Sequence, residues 1–111
     1  MMNIQIFGLL KCQDTRKAQR YFKERRMPFH FIDLVQKGLS KGELTAIGRA
    51  VGMDNLIDKE GKEYARGNLK YIIHNVEEEL LKNPLLLKTP IVRNGHTATV
   101  GYAPEVWKGW E

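Results

Sequence analysis

Two strand-like segments enclose one amphipathic helical segment near the start of the chain. NIQIF (residues 3–7) alternates weakly and ends at Gly8, and FHFIDL (residues 29–34) alternates and is rich in aromatic and β-branched residues. Between them, side chains on one helical face recur at spacings of three and four, until Pro28 stops the helix. This face comprises Ala18, Tyr21, Phe22 and the stem of Arg25. A strand, a crossover helix and a second strand form a βαβ unit, so we expect parallel strands joined by a right-handed crossover.

The middle of the chain carries the signals of helices. Ser40, with Glu43 three residues later, forms a capping box, and Gly52 closes the helix that the box opens. The apolar stripe of this helix comprises Leu44, Ile47 and Val51. Residues 54–67 are charged and are expected to contain a short helix or a turn.

Helical spacing continues in the stretch that follows, at Leu69, Ile72, Ile73 and Val76. Asn75 and Glu78 form a second cap pattern, which starts a helix through Leu80 and Leu81. That helix is expected to end at the Asn83-Pro84 pair. We therefore predict a helical insert over about residues 40–82.

The last third of the chain changes to a strand-like pattern. TPIVRN (residues 89–94) reads as one strand, Asn94-Gly95 is a strong hairpin signal, and HTATVGY (residues 96–102) returns as another strand. The order of elements is β-α-β, a helical insert, then β-β-α. This order predicts an α/β fold with a four-stranded mixed sheet in the thioredoxin arrangement. At 111 residues the chain is expected to form one domain over residues 1–111.

The C-terminal residues 103–110 are expected to form a helix with Pro104 in its first turn. Trp107 and Trp110 lie three residues apart on this helix, and we expect them to pack it against the sheet. An exposed aromatic surface for a partner is the alternative interpretation.

The only cysteine of the chain, Cys12, is expected to lie at the N-terminus of the first helix, which begins near Thr15. Free backbone N–H groups and the helix dipole stabilise an anion there, and Lys11 and Arg16 add positive charge. These effects lower the pKa of a thiol and make the thiolate a nucleophile. The alternative is a buried, inert cysteine that behaves as a small hydrophobic residue.

The motif around the thiol, Cys12-Gln13-Asp14-Thr15, is not Cys-x-x-Cys. Since the chain has no resolving cysteine, an oxidised Cys12 must be reduced by an outside thiol such as glutathione. Asp14 and Thr15 are good N-cap residues, and capping is their predicted role.

The charge, the histidine spacing and the apolar runs of the chain bear on metal binding, membrane insertion and cellular location. The net charge of +5 permits attraction to nucleic acid, acidic partners or oxyanions and does not choose among them. The basic residues are spread along the chain, which excludes a basic tail, and no direct nucleic-acid site is identified. His30, His74 and His96 have no ligand spacing, and we predict no metal site; His30 is expected to face solvent. No apolar run approaches the ~20 residues of a membrane span, no signal peptide is evident, and a reducing cytoplasm is the expected location.

Three stretches resemble the ArsC/Spx family, the glutaredoxin-like arsenate reductases and their relatives, over nearly the whole length. They are FGLLKCQDTRKAQRYF, FIDLVQKGLSKGEL and NPLLLKTPIVRNGHTATVGYAPE. The resemblance implies a thioredoxin fold with a helical insert between the strand pairs. It also implies that the Thr89–Pro90 bond is cis and faces Cys12, whereas base rates alone would make this bond trans.

In the arsenate reductases that the chain resembles, the equivalent cysteine attacks arsenate, and glutathione and glutaredoxin complete the reduction. Three arginines of that family hold the oxyanion. The equivalent positions here are Thr89, Tyr102 and the Asp58-Lys59 pair. Because lysine or tyrosine does not replace a bidentate arginine in kind, efficient arsenate reduction is not expected. The cations predicted to form a substitute anion site are Lys11, Arg16, Lys88 and Arg93.

The resemblance therefore implies a thiol-dependent oxidoreductase with Cys12 as its nucleophile and no bound cofactor. Its co-substrate would be glutathione and its partner a glutaredoxin or another thiol reductant, with the chain acting as a monomer. The Spx branch implies an alternative, a non-enzymatic transcriptional regulator that binds RNA polymerase. Members of that branch commonly carry a Cys-x-x-Cys switch, and Thr15 stands at its second position here.

Overall fold

The computed structural model describes residues 4–67 and 75–110. Its sheet has four strands in the order β2-β1-β3-β4. The strands are β1 (Ile4–Gly8), β2 (Phe29–Asp33), β3 (Ile91–Asn94) and β4 (Thr97–Val100). β1 pairs parallel with β2 and antiparallel with β3, and β3 pairs antiparallel with β4. The predicted α/β fold with a mixed four-stranded sheet is confirmed.

The crossover between β1 and β2 is helix α1, Gln13–Glu24. Cys12 is its N-cap residue, so the helix begins two residues before the predicted start at Thr15. It ends well before Pro28, and Arg26 follows it with a positive φ of 56°. The buried side chains of α1 are Thr15, Ala18, Tyr21 and Phe22.

Between β2 and β3, in the segment predicted as a helical insert, the described residues 34–67 and 75–90 form three α-helices. They are α2 (Lys41–Val51), α3 (Lys62–Arg66) and α4 (Val76–Lys82). The capping box of Ser40 and Glu43 is present at the start of α2, and the Asn75 side chain accepts a hydrogen bond from the Glu78 N–H at the start of α4. The helical pattern at Leu69, Ile72 and Ile73 lies outside the described residues, as does His74.

The alternation of side chains along the central strands divides the core into two clusters on opposite faces of the sheet. Ile6 and Val92 face α1 and the C-terminal segment, whereas Phe7 and Ile91 face the helices between β2 and β3. All four side chains are at most 1% exposed. The sheet is therefore covered by helices on both faces, as a buried mixed sheet requires.

The C-terminal segment forms α5 (Pro104–Trp107) followed by a 3₁₀ turn over Lys108–Trp110. Trp107 is fully buried, and its indole N–H donates a hydrogen bond of 2.8 Å to the hydroxyl of Thr99 on β4. Trp110 is half-buried and stacks on Phe22 with 6.4 Å between ring centroids. The predicted packing role of both tryptophans is confirmed.

Among the described residues, no helix has the length and apolar character needed to cross a membrane. The assignment of the whole chain to one domain stays a prediction.

Candidate thiol site

The thiol of Cys12 lies where the chain turns from the end of β1 into α1. The Cys12 N–H donates to the Leu9 carbonyl at 2.9 Å, and the Cys12 carbonyl accepts from the Arg16 N–H at 3.2 Å. These two bonds fix the residue at the N-cap position while its side chain remains partly exposed. The sulfur is thus directed by the backbone to the end of a helix where N–H groups are free to stabilise a negative charge.

Thr89 contacts the Cys12 sulfur from the loop that precedes β3. Its hydroxyl oxygen lies 3.2 Å from Sγ and donates to it, and its carbonyl oxygen lies 3.8 Å from Sγ and accepts from the thiol. The Thr89–Pro90 peptide bond is cis, as the resemblance implies. β3 starts at Ile91, two residues later than the pattern indicates, since residues 89 and 90 form this loop.

The pKa of the Cys12 thiol is lowered from its ordinary value. Partial burial of the sulfur is the largest single influence and raises the pKa, but hydrogen bonds outweigh it. The lowering comes from the side chains of Thr15 and Thr89 and from the backbone N–H groups of Thr15 and Asp14. The thiolate is therefore stabilised mainly by donors aimed at the sulfur.

The cations predicted to stabilise the thiolate lie at the surface. Both Lys11 and Arg16 are exposed, and the lowered pKa of Cys12 is accounted for by hydrogen bonds. The charge of Lys11 acts on another group, the Glu63 carboxyl. Hydrogen bonds from Asn83 and Arg66 lower the pKa of that carboxyl, and the charges of Arg66 and Lys11 add to this effect. A role for Lys11 and Arg16 in the chemistry of Cys12 stays a prediction.

The capping role predicted for Asp14 and Thr15 is wrong. Because α1 begins at Gln13, both residues lie inside its first turn, and Cys12 makes no side-chain cap. Thr15 is fully buried instead, and its hydroxyl accepts a long hydrogen bond of 3.4 Å from the Leu9 N–H. Thr15 packs against Gly8, where an added methyl group would lie 2.5 Å from its hydroxyl oxygen. A hydrogen bond from the Thr15 side chain to the sulfur lowers the pKa of Cys12.

The thiol opens into a cleft of about 500 Å³. Three parts of the chain that are distant in sequence line it: the start of α1, the segment before α3, and the strand ends of the β3–β4 hairpin. The lining residues are Cys12, Asn55, Asp58, Lys88, Thr89, Val100 and Gly101. Asn55, Val100 and Gly101 were not found by sequence reasoning, because no local pattern connects them to the cysteine.

The structure does not bring Arg93 into this cleft, which corrects the predicted anion site. Arg93 pairs with Gln5 in the sheet, and its guanidinium donates to the Gly95 carbonyl at 3.2 Å. β3 begins beside the thiol and runs away from it, and each residue of a strand advances about 3.3 Å. Of the four predicted cations, Lys88 alone is a lining residue of the cleft.

The structure also places Tyr102 and two of the histidines, His30 and His96. Tyr102, at the position of a family arginine, packs its ring on Trp107 at 5.5 Å and lies next to the cleft residue Gly101. His30 is exposed on β2 as predicted, and His96 is exposed in the hairpin turn. Within residues 4–67 and 75–110, no group of histidine, cysteine or acidic residues could hold a metal ion.

A four-stranded mixed sheet, with a cysteine at the start of the first helix and a cis-proline next to the residue that contacts its sulfur, defines a thioredoxin-like fold. The sequence matches the model of the ArsC family over residues 7–110, and the chain belongs to that family.

The chain is similar in sequence to known bacterial proteins and similar in structure to a solved arsenate reductase. It is 29% identical to the global transcriptional regulator Spx 2 of Oceanobacillus iheyensis, over 91% of this chain and 78% of that protein. It is 27% identical to the protein YusI of Bacillus subtilis, over 91% and 92% of the two chains. The solved arsenate reductase from Vibrio cholerae superposes with a TM-score of 0.82 at 20% identity, covering 95% of this chain and 94% of the other. At that identity the superposition shows the shared fold.

Proposed function

We propose that the chain is a thiol-dependent oxidoreductase that uses the Cys12 thiolate as its nucleophile. The observation that carries the proposal is the position of the sulfur: it lies at the start of α1, 3.2 Å from the Thr89 hydroxyl, and opens into a cleft large enough for a small substrate. A structural cysteine would be buried in apolar surroundings, which raise a thiol pKa. The lowered pKa of Cys12 supports the opposite role.

The proposed reaction has two exchange steps. The Cys12 thiolate attacks a sulfur of an oxidised substrate, the bond to the leaving group breaks, and Cys12 is left in a mixed disulfide. A second thiol, from glutathione or a glutaredoxin, then attacks and releases Cys12 as a thiolate. The external thiol is thereby joined to the remaining part of the substrate in a mixed disulfide. A second external thiol attacks this disulfide, so two external thiols supply the two electrons and leave as their own disulfide. The external thiol is required because the chain has no second cysteine.

The reaction sets the surroundings in which the protein acts. A reduced cysteine that depends on glutathione requires the reducing cytoplasm, so we propose that location and a monomeric form with no bound cofactor. An arsenate substrate is not part of the proposal, because the cleft presents Thr89 and Asp58 at positions where the family resemblance implies oxyanion-binding arginines.

Alkylation of Cys12 by iodoacetamide across a pH series is expected to show a midpoint below that of an ordinary thiol. The thiolate is the reactive form, so the rate at neutral pH rises as the pKa falls. Thr89→Val removes one donor to the sulfur and is expected to move the midpoint to higher pH. Thr97→Val is the matched control, since Thr97 is exposed in β4 and donates to the Asn94 carbonyl.

The rates are followed by mass spectrometry of the intact chain, with Cys12→Ser as the blank. A midpoint at or above the value of a free cysteine would remove the oxidoreductase proposal. A lowered midpoint that does not respond to Thr89→Val would assign the lowered pKa to the donors of α1, the Thr15 hydroxyl and the backbone N–H groups of Asp14 and Thr15.

The likeness to the Spx regulator supports a second candidate function, binding of RNA polymerase without thiol chemistry. Thr15 is fully buried at the place of the second switch cysteine, so this role would be independent of oxidation. We expect a Cys12→Ser variant to capture purified RNA polymerase as well as the parent chain does, if this role holds. Capture by neither protein would leave the oxidoreductase as the sole candidate.

A further inference from the structure

Two side chains of opposite charge line the cleft that holds the thiol. Asp58 and Lys88 lie in its wall together with Cys12 and Thr89. Lys88 directly precedes Thr89, whose hydroxyl contacts the sulfur, and it lines the same cleft as the thiol. A cleft built for an oxyanion would present cations alone, because a carboxylate repels a negatively charged substrate.

The backbone that carries both charges is held by paired segments. Ile57 and Leu87 form an antiparallel bridge. The Asp58 N–H donates to the Leu86 carbonyl at 2.8 Å, and the Lys88 N–H donates to the Leu56 carbonyl at 2.7 Å. The four apolar residues of this pairing are 0–3% exposed and belong to one core cluster, which anchors the rim: Leu56, Ile57, Leu86 and Leu87. The backbone positions of Asp58 and Lys88 are therefore fixed relative to each other.

The carboxylate of Asp58 is oriented as well as anchored. One of its oxygens, Oδ1, accepts a hydrogen bond of 3.2 Å from the Glu60 N–H, as in an Asx turn. The side chain is half-buried, whereas Lys88 is exposed and longer. An anion and a cation carried by anchored backbone thus line one cleft with the thiol, and complementary charges of this kind contribute to specificity more than to affinity.

We propose that this cleft selects small thiols and disulfides that carry both an ammonium and a carboxylate group. Asp58 contacts the ammonium group and Lys88 the carboxylate, which presents the sulfur of the ligand to Cys12. The inference rests on the nucleophilic role of Cys12 proposed above, and it adds the charge type of the substrate. Asp58 is the residue that discriminates against oxyanions and other purely anionic ligands.

The step to be measured is a single thiol–disulfide exchange. The Cys12 thiolate attacks one sulfur of a symmetrical disulfide, the S–S bond breaks, and one equivalent of free thiolate leaves as the mixed disulfide forms. Four disulfides of different charge serve as probes. They are cystamine with ammonium groups, 3,3′-dithiodipropionate with carboxylates, cystine with both, and the neutral 2-hydroxyethyl disulfide.

The rate constant of each charged probe is divided by that of the neutral probe on the same variant, which cancels any change in the pKa of Cys12. Asp58→Asn is expected to lower the ratio for cystamine about threefold and to raise the ratio for dithiodipropionate, as for a solvent-exposed charge pair. Lys88→Gln is expected to do the reverse. The rate ratio for cystine should fall in both variants. The differences in rate ratio between the variants and the parent chain should shrink at high salt.

Asp54→Asn and Lys59→Gln are the matched controls. They make the same charge changes on exposed residues of the same segment, and neither residue lines the Cys12 cleft. If Asp58→Asn and Lys88→Gln change the ratios no more than these controls, the inference is overturned while the proposed function stands. If the neutral disulfide reacts with the parent chain no faster than with free cysteine, the proposed function fails, and the inference fails with it.

Discussion

Replacement of Trp107 by alanine is expected to lower the free energy of unfolding by about 3–5 kcal/mol. The indole is fully buried and lies in a cluster of aromatic rings, with centroids 5.2 Å from those of Tyr21 and Phe22. Its removal leaves a cavity between α1, α5 and the sheet. It also leaves the buried Thr99 hydroxyl without its donor, which adds the cost of an unsatisfied polar group.

Urea unfolding measures this effect, because a change of midpoint at constant slope reports stability alone. Val106→Ala is the matched control, since Val106 is the neighbouring residue and is 44% exposed. Its effect is expected within about 0.5 kcal/mol. Thr99→Val separates the hydrogen bond from the packing and should cost about 1–3 kcal/mol. A loss below 1 kcal/mol for Trp107→Ala would contradict the packing of α5 described above.

Gly8→Ala is expected to destabilise the chain by about 1–3 kcal/mol and to disturb the thiol. A methyl group on Gly8 would lie 2.5 Å from Oγ1 and 2.6 Å from Cγ2 of Thr15, which is fully buried and cannot move away freely. Since the Thr15 hydroxyl lowers the pKa of Cys12, its displacement should raise the pH midpoint of Cys12 alkylation. The close approach of β1 and α1 therefore links the packing of the fold to the reactivity of the cysteine.

A double-mutant cycle tests that link. Thr15→Ala removes both close atoms, so the double variant Gly8→Ala/Thr15→Ala should be more stable than the sum of the two single losses predicts, by more than about 0.5 kcal/mol. Gly42→Ala is the control for the change of residue type, because a methyl group there has no atom within 4 Å. It is expected to be neutral or stabilising, because Gly42 is an exposed position in α2. Strict additivity of Gly8→Ala and Thr15→Ala would show that the two residues do not press on each other.

The elements of the fold were predictable because their signals are local. The spacing of Ala18, Tyr21 and Phe22 encodes a buried helical face, and the box of Ser40 and Glu43 encodes a helix start, without reference to the rest of the chain. The boundaries were less accurate: α1 begins at Gln13 because the Cys12 carbonyl already accepts from Arg16.

The candidate site was predictable only in part. Local pattern located Cys12 at a helix start, and the family resemblance placed Thr89 opposite it. The role of Thr15 was missed, because Asp and Thr near a helix start indicate capping and nothing local reveals the close approach to Gly8. Arg93 was assigned wrongly, since its place depends on the direction of β3 away from the thiol.

The sequence by itself determined that this chain forms a βαβ unit, a helical segment and a hairpin, and that its one cysteine begins a helix. Periodicity and capping carry that information within a few residues. Only the tertiary structure decided which groups surround the sulfur. The pairing of Ile57 with Leu87 carries Asp58 and Lys88 to the cleft, and the loop before β3 places the Thr89 hydroxyl 3.2 Å from Sγ. Contacts between residues up to 77 positions apart depend on packing, because no local preference of the chain specifies them.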